Sequence, residues 1–105
     1  MTTSPTTTSN APLTVTADIE AKSGREALVR SELEKLVEPT RAEPGCIRYD
    51  LHEDAERPNR FFFYETWESR DLWQQHMNAE HIATYLAATD GAVERFEVSQ
   101  LHRVD

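Results

Sequence analysis

Residues Arg60 to Trp67, RFFFYETW, place large rings on both sides of a segment whose β-propensity marks it as a strand. Alternation puts Phe61, Phe63, Glu65 and Trp67 on one side and Phe62, Tyr64 and Thr66 on the other. Small antiparallel sheets usually wet one face, so a strand apolar on both must be covered twice. Glu68 and Ser69 end it. Ser69 is the expected N-cap of a helix carrying Leu72, Trp73, His76 and Met77 at helical spacing.

The remaining chain divides cleanly around this segment. Leu13 to Ala21 alternates, with Leu13, Val15, Ala17, Ile19 and Ala21 facing one way. Ser23 and Glu26 have capping-box spacing before a helix whose buried stripe is Val29, Leu33, Leu36, Val37 and Thr40. Pro39 should bend that helix or reduce its last turn, and Pro44-Gly45 should end it. Cys46 to Glu53 opposes Ile47, Tyr49 and Leu51 to Arg48, Asp50 and His52, and DAERPN then links it to the aromatic strand as a hairpin. Asn78 interrupts the second helical stretch, whose continuation carries Ile82, Tyr85 and Leu86 to Asp90-Gly91. A last strand carries Phe96, Val98, Gln100, His102 and Val104 against Glu97, Ser99, Leu101 and Arg103.

The order β-α-β-β-α-β predicts an α+β ferredoxin-like fold, an antiparallel sheet with helices on one face. The simplest cover for the other face is a second copy of the sheet, so a two-fold homodimer is expected. Residues 13–105 form one domain. Residues 1–12, MTTSPTTTSNAP, read as a disordered tail.

Composition narrows the function classes. A net charge of −8 supplies no basic stripe for nucleic acid and disfavours anionic membrane surfaces. There is no apolar run of bilayer-spanning length and no signal-peptide pattern, which predicts a cytoplasmic protein. The single cysteine, Cys46, excludes an intrachain disulfide and reads as a buried, unreactive thiol. With only three glycines there is no phosphate-cradling loop, so no nucleotide cofactor is expected. His52, His76, His81 and His102 lack metal-ligand spacing, and no metal is expected; the five-residue step from His76 to His81 leaves one helical face unless the break at Asn78 restores it.

The segments AEPGCIRYDLHED, RFFFYETWES and HMNAEHIATYL resemble the antibiotic biosynthesis monooxygenase (ABM) family, including its quinol monooxygenase-like members. The resemblance covers about Leu13 to Val104 and implies a dimeric α+β barrel with a pocket between sheet and helices in each subunit. It implies a monooxygenase that uses no cofactor and oxidises a small quinol-like or polyketide-like aromatic with O₂. In such chemistry the protein removes a proton from an electron-rich ring, and the resulting anion passes an electron to O₂ in a dry pocket.

His76 and His81 match the family's two helix histidines. A neutral histidine has the intrinsic pKa of such a base. His76 is therefore the candidate base, Trp67 the candidate orienting wall, and His81 a pocket gate or structural residue. Tyr49, Phe63, Trp73 and Tyr85 are candidate pocket walls. Glu65 on a ring-lined face is unusual, with an ion pair to Arg48 or Arg60 as its default partner. Two alternatives share the fold: a non-oxidative isomerase of a small metabolite, and a non-catalytic dimeric ligand-binding or stress protein. The quinone-forming branch carries a polar amide and a tyrosine where this chain has Phe63 and Trp73. The haem-degrading branch carries an Asn, a Trp and an axial His where Ala17 or Asp18, His76 and Leu86 stand.

Overall fold

A computed structural model of the chain describes residues 11–105. The stretch read as a tail lies outside the described residues except for Ala11 and Pro12. Four strands, β1 (Leu13–Ala21), β2 (Cys46–Glu53), β3 (Arg60–Trp67) and β4 (Val93–Leu101), form one antiparallel sheet in the order β2-β3-β1-β4. The helices are α1 (Glu26–Glu34), α2 (Val37–Arg41), α3 (Arg70–Met77) and α4 (Glu80–Ala88). This is the ferredoxin-like β-α-β-β-α-β fold, with each helical stretch split in two. α2 lies on β2, α3 lies on β3, and α1 packs beside α4.

The first helical stretch breaks ahead of Pro39, not at it. The Pro39 ring has no N–H and crowds the carbonyl four residues earlier, at Lys35. There the chain tightens, Leu36 N–H reaching Leu33 O at 3.0 Å, before α2 begins with Pro39 in its first turn. Ser23 does not cap α1. Ser23 and Gly24 form a turn with Gly24 at φ 84°, and the cap position falls to Arg25, which makes no side-chain capping bond. Ser69 does cap α3, its Oγ accepting from Leu72 N–H at 3.3 Å. Asn78 ends α3 as expected.

Gly45 turns the chain from α2 into β2 at φ 84°. A Cβ there would come within 2.9 Å of Leu72 Cβ, so the glycine also lets the first turn of α3 sit against this corner. Immediately after it a bulge between Cys46 and Arg48 shifts the register against β3. Ile47, expected to share the apolar face with Tyr49 and Leu51, is the bulged residue and is 58% exposed. The final strand begins at Val93, earlier than its alternation suggested, and stops at Leu101, leaving His102 and Val104 outside it.

The core is the inner sheet face under the helices. β1 buries every second residue from Leu13 to Ala21, and β3 buries Phe61, Phe63, Glu65 and Trp67. On the outer face, Arg60 donates to both oxygens of Asp18 at 3.0 and 2.7 Å and to Asp54 at 3.0 Å. Arg95 joins Asp18, Glu20 and Glu97 beside it. Phe62 is half-buried and Tyr64 is 37% exposed there, the Arg48 guanidinium lying 5.4 Å from the Tyr64 ring centre.

Candidate active site

Between sheet and helices lies a cavity of about 150 Å³. Its floor is the inner face of the sheet: Tyr49, Phe63, Glu65, Val15, Ala17 and Val98 in adjacent rows. Its roof is Leu33 and Leu36 with residues of α3 and α4, chiefly Trp73, His76, Ile82 and Tyr85. Ile19 of the floor and exposed Met77, Leu86 and Phe96 complete the lining. An apolar cavity of about this size takes a benzene-sized ring. No Lys or Arg among the described residues lines it.

His76 is 2% exposed and projects from α3 between Trp67 and Tyr49, with ring centres 4.8 and 5.5 Å away. Its Nδ1 lies 2.9 Å from Glu43 Oε2, and His81 Nε2 lies 2.6 Å from the same oxygen. Glu43 sits in the link between α2 and β2. The break at Asn78 starts a separate helix, α4, from whose first turn His81 reaches the same carboxylate oxygen. A carboxylate acceptor fixes a proton on His76 Nδ1, which leaves Nε2 as the acceptor nitrogen, and Glu43 is the ring's only hydrogen-bond partner among the described residues. Burial pushes the His76 pKa below the usual histidine range, opposed by the hydrogen bond and charge of Glu43. The ring is therefore neutral at pH 7.

Glu65 is 4% exposed and faces the same cavity. The expected ion pair does not form. Arg48 pairs with Asp50, and Arg60 with Asp18 and Asp54, because both arginines leave their strands on the opposite face. Among the described residues the one hydrogen bond to the Glu65 carboxyl comes from Trp67 Nε1–H to Oε1 at 2.9 Å. Burial pushes the carboxyl up to about 7 against an ordinary 4.5, Trp67 opposing and the Glu43 charge adding to it.

A folded-state pKa above the unfolded one means that the folded protein binds more protons between these values. Stability from this group is therefore fully present below about pH 4.5 and is lost as pH rises to about 7, a change of roughly 3 kcal/mol. A Glu65→Gln protein lacks this loss. Urea unfolding at pH 4.5 and 8 should show the variant gaining about that amount on wild type at the higher pH. An unchanged difference would mean that the folded carboxyl ionises normally.

The family model described as antibiotic biosynthesis monooxygenase matches residues 12–88. The chain belongs to the antibiotic biosynthesis monooxygenase family. Among curated relatives of this ABM protein, Rv0793 of Mycobacterium tuberculosis is 32% identical over 76 residues, 72% of this chain and 74% of the relative. YcnE of Bacillus subtilis is 31% identical over 71 residues, 68% of this chain and 75% of the relative. Both are provisionally named monooxygenases. The uncharacterised Synechocystis protein sll1783 is 29% identical over 75 residues, 71% of this chain, which spans about half of that relative's length at 51%. The crystal structure of PA3566 from Pseudomonas aeruginosa aligns with a TM-score of 0.87 at 33% identity, covering 92% of this chain and 98% of the other. Rv0793 aligns with a TM-score of 0.83 at 29% identity, covering 90% and 97%.

Of the candidate residues in this ABM domain, His76, Tyr49, Phe63, Trp73 and Tyr85 line one cavity. Trp67 lies behind the lining, fully buried, with its N–H taken by Glu65; its contribution to the cavity passes through Glu65 and His76. His81 sits outside the lining on Glu43. Burial raises the hydroxyl pKa of Tyr49 and Tyr85, so both stay protonated, and it pushes the Cys46 thiol up to about 11, which makes that thiol a poor nucleophile. Glu43 was not singled out from sequence, although it opens the E-P-G-C motif. Glu43, His76 and His81 bring three metal-ligand atoms within 4.8 Å of one another. Their N–O separations of 2.6 and 2.9 Å are hydrogen-bond spacings; metal bonds near 2.0–2.2 Å would hold the ligand atoms about 3.3 Å apart. Among the described residues no helix is long and apolar enough to cross a membrane.

Proposed function

We propose that this ABM protein is a cofactor-independent monooxygenase of a small, electron-rich aromatic, with His76 as the base. The observation that carries this reading is one buried imidazole, fixed at Nδ1 by Glu43, that lines a ring-walled apolar cavity and makes no other side-chain hydrogen bond among the described residues. The names of Rv0793 and YcnE support it. Taken for a phenol with a free para carbon, Nε2 removes the hydroxyl proton and the phenolate passes one electron to O₂. Aryloxyl radical and superoxide join at the para carbon, and the peroxide takes the proton held by His76. Loss of the para hydrogen as a proton breaks the O–O bond and expels hydroxide, which leaves as water. One oxygen atom enters the quinone and the other becomes water, a four-electron oxidation of the ring. The dry, apolar wall keeps the anion unsolvated and reactive.

Neither alternative has a specific observation in its favour. An isomerase of a polar metabolite would call for converging cations, and the lining has none among the described residues. Oxygen uptake tests the reading: wild type with a panel of phenols and hydroquinones should consume O₂ above the buffer rate. Uptake indistinguishable from buffer across the panel would sink it.

The outer sheet face supports a two-fold homodimer, since Phe62 and Tyr64 lie on it in the single chain and a second sheet would cover both. Sedimentation should give a dimer at micromolar concentration, and Tyr64→Glu should shift it towards monomer. A wild-type monomer under those conditions would refute the assembly.

A further inference from the structure

The cavity has a second polar group that base chemistry at His76 does not use. Glu65 stands in a row between Tyr49 of β2 and Val15 of β1, with Phe63 and Trp67 as its same-face neighbours along β3. Trp67 N–H occupies Oε1 at 2.9 Å and is the carboxyl's only hydrogen-bond partner among the described residues, which leaves Oε2 without one. The nearby arginines are committed elsewhere, Arg48 to Asp50 and Arg60 to Asp18 and Asp54. An anion enclosed by apolar walls without a cation is costly, and the Glu43 carboxylate makes ionisation costlier still. A carboxyl in that setting keeps its proton below about pH 7. Because Oε1 already accepts from the indole, the hydroxyl falls on Oε2.

We propose that Glu65 is a hydrogen-bond donor to the ligand, and that the cavity selects an uncharged aromatic with two oxygens: a phenolic hydroxyl for His76 Nε2 and a carbonyl or second hydroxyl that accepts from Glu65 Oε2. The inference deepens the oxygenase reading, resting on it only for the role of His76 towards the phenolic proton. Two consequences follow from the charge pattern. A hydroxyaryl ketone is held at both ends. A hydroxybenzoate is rejected, because its carboxylate would meet a carboxyl, a row of aliphatic side chains and no cation.

Binding measured under nitrogen separates recognition from turnover. The probes are 4-hydroxyacetophenone, its near-isostere 4-ethylphenol, and 4-hydroxybenzoate, titrated at pH 6 with tryptophan fluorescence and calorimetry as readouts. Wild type should bind the ketone about fivefold more tightly than the ethyl compound, the range of one net hydrogen bond. It should bind the benzoate at least about tenfold more weakly than the ketone. Glu65→Gln should keep the ketone preference, since its amide N–H₂ can donate while its oxygen accepts from Trp67. Glu65→Leu and Glu65→Met, the second closer in shape, should lose the preference while still binding 4-ethylphenol. A preference that survives in either folded apolar variant overturns the proposal. So does benzoate binding as tight as that of the ketone, or no saturable binding of any probe. Selective binding without oxygen uptake would leave this inference standing and remove the oxygenase reading alone; uptake without the preference would do the reverse.

Discussion

A His76→Gln protein should oxidise the best phenolic substrate of the wild-type enzyme about 10²–10⁴ times more slowly, the range a positioned general base supplies. Glutamine still donates to Glu43 and fills most of the ring's volume, so the fold is kept and only the basic nitrogen is removed. Glu43→Gln tests the next link. Its amide can donate to His76 Nδ1 where the carboxylate could only accept, which would move the ring proton to Nε2 and turn the base into a donor. The loss should fall mainly on kcat and reach about 10² or more, with KM little changed. His81→Ala removes the other hydrogen bond to Glu43 and leaves the His76 tautomer alone; a loss under about tenfold is expected. The activity of wild type should rise with pH through a value below the usual histidine range, because the ring must be neutral to accept and burial depresses its pKa. Equal rates for wild type and His76→Gln in steady-state oxygen uptake would exclude His76 as the base.

The difference between Glu43 and His76 marks where the chain is readable as text. Period-two alternation in β1 survives in the fold residue by residue, because its apolar side chains all fall on the buried inner face of the sheet. Ser69 and Asn78 act as read, since capping depends on neighbours within one turn. Ser23 failed for the same local reason. Gly24 beside it takes a left-handed turn, and the helix starts too late for the hydroxyl to reach its first N–H groups. Ile47 defeats alternation because a bulge adds one residue to β2, which no pattern of polar and apolar letters announces.

The site divides along the same line. The rings of the lining were legible as inward-facing positions on β2, β3 and the second helical stretch. Glu43 was not, since a glutamate between a helix end and a turn has the signature of a solvated residue. Only the sheet order and the helix break bring it to two histidines more than thirty positions away. Glu65 could be placed on the inner face by parity, yet its partner was misjudged. Strand parity also sends Arg48 and Arg60 outward, and applying it to donor and acceptor together would have ruled out the ion pair.

Trp67→Ala should cost about 3–5 kcal/mol in urea unfolding, as for other buried large-to-small changes. Trp67 is fully buried at the end of β3, opposite Leu13 on one side and Cys46 on the other, where the α2–β2 corner and α3 close over it. Trp67→Phe asks the finer question, because it keeps a ring beside His76 but deletes the one hydrogen bond to Glu65. A donor favours the ionised carboxyl, so its loss should raise the Glu65 pKa above about 7 and cost more stability at pH 8 than at pH 5. The excess at pH 8 should be about 1 kcal/mol: with the wild-type carboxyl at about 7, ionisation recovers only about 1.4 kcal/mol at that pH, and the variant forfeits at most that. If Trp67→Phe loses the same amount at both pH values, the indole N–H contributes nothing specific to the carboxyl, and Trp67 matters to the cavity only as volume.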